Sequence, residues 1–385
     1  MKKQKILYIA NGNSIHDIKW MSYFSEQQDN YSCYLLCDTL CELSEQTLSA
    51  LTKVNIHVVQ QISPLSISNP IKSWKAIRQY KKLVKDLQPD LIHVLFATPN
   101  ALWLNFSKTA GMITMRGSDI LLVIPDLLKQ SGLKKIYFGF LFGQFKKAFL
   151  NARVVTGTSL PQIEKANELF NGAHITLVRT GVDVEKINKL DQSELIPDSL
   201  TEKEFVFSPR FMAPIYNIEF QLKAISLLDS TIINSYTFVF IRGKQYDKSY
   251  YQKQLQTLRT LKTEINLNYM VIDYLDQNSM WMMLKKTVLC IMTPISDGTP
   301  NSALEAMAAQ CPLIISNLNY DKDLFENTCI KLNSFEVIEL KDMIENSLTN
   351  YNPELLSNAF NKVSALGNRS IEMKKLEEFY SNLLS

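Results

Sequence analysis

Ser296-Asp297-Gly298-Thr299-Pro300-Asn301-Ser302-Ala303-Leu304-Glu305-Ala306-Met307-Ala308 reads as a turn feeding a helix. Gly298 permits a sharp bend. Thr299 suits the capping position, and Pro300 the first helical position, where a missing N–H costs nothing. The N–H groups of Asn301, Ser302 and Ala303 would then point out of the helix start. With the helix dipole they make a site for an anion such as a phosphate. Glu305 falls about one and a half turns in, among Ala303, Leu304, Ala306, Met307 and Ala308. A carboxylate on so apolar a helix is expected to be largely buried, which is costly unless hydrogen-bond donors meet it. A ribose diol would supply two.

Around this string the chain alternates short apolar runs with longer amphipathic segments. Strands are expected at 5–10, 34–37, 56–60, 91–96, 112–116, 154–158 and 176–179, with helices at 15–27, 71–87 and 160–170 between them. After the polar stretch Asp191–Glu204 a second series begins. Its strands are expected at 205–208, 237–242, 269–272, 288–293 and 313–316. Its helices are expected at 218–228, 250–263 and 277–285 and at the motif, with later ones at 339–348 and 371–384. Buried strands alternating with helices predict two parallel, doubly wound α/β sheets, whose ligands bind at the carboxyl ends of the strands. A chain of 385 residues is long enough for two such domains.

The bulk composition excludes several classes. With 41 Lys and Arg against 38 Asp and Glu, the net charge of +3 gives no ground for a nucleic-acid partner. No run approaches the roughly 20 apolar residues of a membrane span, and Ile6–Ala10 is too short for a signal-peptide core. The expected location is cytoplasmic, at most peripheral to the inner face of a membrane. Cys33, Cys37 and Cys41 recur every fourth residue, but 32–37 reads as a strand, so free thiols are expected rather than a metal site. His57 and His93 lie in apolar strands and read as core residues.

The opening string resembles the acidic–x7–Glu motif of family 4 retaining glycosyltransferases (glycosyl transferases group 1), and the resemblance extends over nearly the whole chain. It implies the GT-B fold: two Rossmann-like domains facing across a cleft. The expected domains are 1–185, with a C-terminal helix of about 368–385 packing back on it, and 186–367. The motif implies that Asp297 lies by the donor sugar and Glu305 by the ribose of a nucleotide-sugar, with Gly298, Thr299, Asn301 and Ser302 at its diphosphate. Here Asp297 is one methylene shorter than the family's frequent Glu. Gln310 stands where a glycine usually follows the helix.

Other segments extend the resemblance. Ser208-Pro209-Arg210 follows the first strand of the second series and is similar to the family's strand–Gly-Arg loop, so Arg210 is expected at the diphosphate. The family's Lys-Gly is replaced by Tyr216-Asn217, and Lys244, after Gly243, is a candidate for the missing cation. Asn11-Gly12-Asn13-Ser14-Ile15-His16-Asp17 resembles the family's first loop, which places His16 at acceptor or phosphate. Met115-Arg116-Gly117-Ser118-Asp119 carries Arg116 where relatives have His. Arg cannot serve as a general base, but could stabilise a leaving diphosphate. Asp119 orients its loop, touches the acceptor or caps the next helix. Arg179-Thr180-Gly181-Val182-Asp183 resembles the interdomain hinge.

The resemblance implies a retaining transferase that moves a sugar from a nucleotide-sugar, UDP- rather than GDP-linked, to a glycan or lipid-linked acceptor in bacterial surface polysaccharide synthesis. No cofactor or divalent metal is expected. The Lys- and Phe-rich stretch 120–150 reads as a buried helix pair with a solvated face or as a peripheral membrane contact. A non-catalytic glycosyltransferase-like binding subunit, or a GT-B nucleotide-sugar epimerase, is the alternative.

Overall fold

The structure, a computed structural model, describes residues 3–65, 69–244 and 246–384. It divides into two compact units, one of residues 1–180 with 373–385, the other of residues 181–372. The boundary thus falls before the segment where the sequence reading put it. The helix Val184–Lys189 buries Val184 and Ile187 in the second unit's core, and Val182 donates to Gly367 O at 2.8 Å, so 181–185 go with that unit.

The first unit is built on seven strands: β1 (Gln4–Ile9), β2 (Tyr31–Asp38), β3 (Ile56–Ile62), β4 (Leu91–Leu95), β5 (Ala110–Thr114), β6 (Val154–Gly157) and β7 (Ile175–Leu177). They lie in the order β3-β2-β1-β4-β5-β6-β7, and each described pair is parallel. β1 and β4 are buried on both sides, which is why they read as continuous apolar runs rather than alternating ones. The thiols of Cys33 and Cys37 belong to β2, and all six cysteines are free.

One core of this unit gathers Tyr8, Trp20, Met21 and Phe24 with Met373, Leu376 and Tyr380 of the C-terminal helix Arg369–Leu384. Spacings of three and four put those last three on one face. The Tyr380 ring stacks on Phe24 at 4.2 Å. Its hydroxyl bonds to Nδ1 of His93, which lies opposite Tyr8 across β1 and β4, and His93 Nε2 meets Thr114 Oγ1 at 2.7 Å. His93 is a satisfied core residue, as its apolar strand suggested.

Six strands form the second unit: β8 (Phe205–Phe211), β9 (Thr237–Ile241), β10 (Tyr269–Ile272), β11 (Leu289–Met292), β12 (Leu313–Ile315) and β13 (Ile330–Lys331). Their order is β10-β9-β8-β11-β12-β13, again parallel. The chain winds from β8 outward to β10, then returns to β11 and winds the other way. The strand order therefore reverses between β8 and β11, and a crevice at their carboxyl ends is where such a sheet binds ligands.

The motif helix runs Asn301–Ala308 behind β11 and buries Ala303, Leu304, Ala306, Met307 and Ala308. It ends in a Schellman motif: Cys311 donates to Ala306 O at 2.9 Å and Gln310 to Met307 O at 3.2 Å, with Gln310 at φ 53°. Gln310 thus holds the left-handed position that favours glycine. Gln310→Gly is expected to raise stability by about 1 kcal/mol. Denaturant unfolding checks this, and an unchanged or lower midpoint would contradict it.

Candidate active site

The donor-side cluster of the second unit begins with a break in sheet pairing. β8 and β9 are in register up to Ser208–Phe240, then slip, so that Phe211 is opposite Ile241. Pro209 has no N–H to contribute, and the slip turns Arg210 out of the ladder. Arg210 Nη1 donates to Ser302 Oγ at 2.8 Å, and Nη2 reaches Asp297 Oδ2 at 3.0 Å. One guanidinium fork therefore ties the end of β8 to the loop after β11 and to the first turn of the motif helix. The pair is mostly buried, with side-chain exposures of 17% and 19%, so solvent screens it less than a surface ion pair. Asp297 Oδ1 accepts from the Gly298 N–H at 2.8 Å.

Tyr216 stands under the guanidinium, 4.1 Å from ring centre to Cζ. Asn217 adopts φ 53°, a conformation glycine takes freely and asparagine tolerates. The Tyr-Asn pair therefore combines a tight left-handed turn with an aromatic face on which Arg210 lies.

Glu305 is buried to 7% exposure, and one donor that meets it is Gln277, whose Nε2 lies 2.6 Å from Glu305 Oε1. Gln277 opens the helix Gln277–Lys286 after β10. No local pattern marks it, because its partner is 28 residues away.

Two expectations need correction. Thr299 does not cap the motif helix: its hydroxyl donates to the buried Asp321 at 2.8 Å, and Pro300 is the capping residue. The side chain is turned to a tertiary partner rather than to the helix start. The Ala303 N–H does not point outward, since it bonds to Pro300 O at 3.0 Å. Lys244 is exposed on the loop after β9, its ammonium 4.0 Å from the centre of the Tyr274 ring. Gly243 before it is required, with φ +76° and Phe211 Cβ only 2.3 Å from where a Cβ would stand.

The first unit assembles its own polar cluster at the β1/β4 reversal. Ser14 caps the helix Ile15–Ser25 by accepting from the Asp17 N–H, and His16 is exposed in its first turn. Asp17 is buried, accepts from the Asn11 N–H at 3.1 Å, and lies 3.9 Å from Arg116 Nη2. Burial pushes its carboxyl up, and Arg116 pulls it back. The Arg116 guanidinium lies over Trp20 at 5.4 Å. Asp119, fully buried, orients the loop: its carboxylate accepts from the N–H groups of Ala97, Arg116, Gly117 and Ile120 at 2.8–3.2 Å. It joins the loops after β4 and β5 and fixes where Arg116 emerges. Burial raises its carboxyl from the ordinary value against the pull of these N–H groups.

Residues 119–151 fold as Asp119–Val123, Ile124–Leu128 and the helix Leu133–Asn151. Only the end of the last is buried, through Phe145, Ala148 and Phe149, while Ile136 is 73% and Phe140 59% exposed near Lys134 and Lys135. No helix of the described residues is long and apolar enough to cross a membrane.

Residues 5–151 match the family model described as Glycosyl transferase 4-like, and residues 191–363 that of Glycosyl transferases group 1. A UDP-Gal:α-D-GlcNAc-diphosphoundecaprenol α-1,3-galactosyltransferase of Escherichia coli is 27% identical over 289 residues, covering 71% of this chain and 68% of that one. A glycosyltransferase of Rickettsia africae superposes over 100% of both chains with a TM-score of 0.77 at 13% identity. Anabaena HepE, solved in complex with UDP-glucose, superposes with a TM-score of 0.71 at 12% identity, over 98% of this chain and 99% of that one.

Proposed function

The chain belongs to the glycosyl transferases group 1 family and has the GT-B fold; on that premise we propose that it moves a sugar from a UDP-sugar to a lipid-linked glycan acceptor with retention of anomeric configuration. The observation that carries this reading is the cluster at the second sheet's reversal point. Arg210 joins Asp297 and Ser302 there, at the start of the helix that carries buried Glu305. Arg210 and the helix start meet the diphosphate charge, Asp297 the sugar hydroxyls, and Glu305 the ribose. This set needs no divalent ion. Lys244, exposed on the loop after β9, is the candidate second cation for the diphosphate.

In the reaction the bond from the anomeric carbon to the β-phosphate oxygen breaks. The acceptor hydroxyl oxygen bonds to that carbon on the same face, and its proton goes to the departing phosphate oxygen. No side-chain base is then required, consistent with Arg116 in the first-unit loop where relatives have His. Arg116, anchored by Asp17, supplies positive charge. His16, exposed in its helix's first turn, contacts the acceptor.

The E. coli relative, by its name, acts on a diphosphoundecaprenol-linked acceptor. A membrane-borne acceptor fits the exposed Ile136 and Phe140 beside lysines, which would rest on an anionic surface at the inner face of a membrane. The test is transfer from a panel of UDP-sugars to GlcNAc-diphosphoundecaprenol in anionic vesicles, with the product's anomeric configuration read by NMR. Transfer with retention from one donor is expected. Phe140→Glu is expected to weaken vesicle binding about tenfold and leave UDP binding unchanged. Inversion, or no transfer from any UDP-sugar, would sink the reading, and unchanged vesicle binding would sink the membrane contact.

A further inference from the structure

We propose that Phe96 is a specificity-determining residue for the acceptor: its ring is the flat apolar surface against which a sugar ring of the acceptor stacks. This rests on the transferase reading above and concerns a residue that no sequence motif marks.

Among the described residues, seven other than glycine have positive φ. Six are Asn or Gln, at φ 49–57°. The seventh is Phe96, at φ 69° and ψ 100°, away even from the left-handed helical region. A bulky residue held there costs free energy, and it persists only where the surroundings over-determine it. The surroundings do so here. The Phe96 N–H donates to Thr114 O at 3.0 Å, and the Ala97 N–H to Asp119 Oδ2 at 2.8 Å. Both peptide units of Phe96 are thus clamped. Thr114 is itself bonded to His93 and Thr156, and Asp119 accepts from three further N–H groups around Arg116.

Packing does not offset that cost. Leu95 before it and Ala97 after it belong to the two cores of the first unit. Among the described residues Phe96 joins neither core, and it stays half-buried. It follows β4 directly, beside the reversal between β1 and β4, at the carboxyl ends where such a sheet takes its ligand. Strain kept at such a place points to function. The side chain narrows the ligand, because a phenyl ring neither ionises nor donates. It offers a flat apolar face, which matches the C–H face of a pyranose rather than a phosphate. Through Asp119 the same clamp sets the Arg116 loop, so one buried carboxylate fixes both the ring and the cation.

Transfer from a UDP-sugar to GlcNAc-diphosphoundecaprenol in vesicles tests this. Phe96→Gly and Phe96→Ala remove the ring equally, but only glycine takes positive φ freely. Hydrogen exchange of β4 should therefore show Phe96→Gly better protected than Phe96→Ala. The KM for the acceptor should nevertheless rise about tenfold in both, with UDP affinity unchanged. A merely structural role predicts instead that the kinetic loss follows stability and is smaller in Phe96→Gly. Phe96→Tyr keeps the flat face and should stay within about twofold of wild type, whereas Phe96→Leu, apolar but not flat, should behave like Phe96→Ala.

A wild-type KM in Phe96→Gly would overturn the contact, and a loss confined to Phe96→Ala would make the residue structural. A wild-type KM in Phe96→Leu alone would assign the contact to the polyprenyl chain and overturn stacking on a sugar. If wild type transfers and every Phe96 variant matches it, only the role of Phe96 fails. If wild type transfers no sugar from any UDP-sugar, the transferase reading fails and this proposal with it.

Discussion

Arg210→Ala is expected to lower kcat/KM for sugar transfer by about 10²–10³-fold, the usual cost of removing one charge-stabilising donor from a preorganised site. Arg210 is the point where three segments meet: the end of β8, the loop carrying Asp297, and the helix start at Ser302. Removing it takes away the diphosphate's cation and unties Asp297 from the position where a sugar would need it. Arg210→Lys should recover only part of the loss. An ammonium is a point charge and cannot reach Ser302 and Asp297 in the planar geometry of the fork or lie flat over Tyr216. Both variants should fold, because the side chain is at the rim of the sheet rather than in its core. Initial rates over a range of donor concentrations check this. Activity within threefold of wild type in Arg210→Ala would show that the diphosphate is held elsewhere.

The second large effect concerns stability. His93 is completely buried between Tyr380 and Thr114, and burial pushes its imidazole down to about 3, with a smaller contribution from Arg116. The unfolded chain takes up a proton near the ordinary value of 6.5, the folded chain only near 3. Since the unfolded state binds more protons in that window, stability falls as pH falls, by about 1.4 kcal/mol per unit. The contribution is intact above pH 6.5 and about 2 kcal/mol is lost by pH 5. Hydrogen exchange of the β1 and β4 segments, corrected for intrinsic rates, reports the first unit by itself. His93→Gln, which can still bond to both hydroxyls, should be less stable at pH 7.5 but show a much flatter dependence between pH 7.5 and 5. An equal slope in both proteins would mean that His93 is protonated in the folded state or that other groups set the acid limit.

The parallel α/β class was legible because strands such as Ile6–Ile9 and Leu91–Leu95 are buried on both faces and so carry no polar alternation. β13 was not, because two residues at a sheet edge leave no periodicity to read. In the candidate site, the burial of Glu305 followed from its apolar helix neighbours, and the junction after the strand expected at 205–208 pointed to Arg210, which lies at the end of β8. What the sequence hid were partners distant along the chain. Thr299 had every local mark of a cap, but Asp321, 22 residues on, took its hydroxyl. Gln277 looked like any helix start until the fold brought Glu305 to it. Asp119 could have been a cap or an acceptor contact. Only the fold shows four backbone N–H groups converging on it.

Titration of UDP into wild type and Glu305→Ala bears most directly on the donor site of the second unit. Wild type should bind UDP with a single site per chain. The variant should bind at least tenfold more weakly, because it loses two hydroxyl bonds to a charged acceptor. Equal affinity in the two proteins, or no binding by wild type, would contradict the placement of a uridine nucleotide on the Asn301–Ala308 helix.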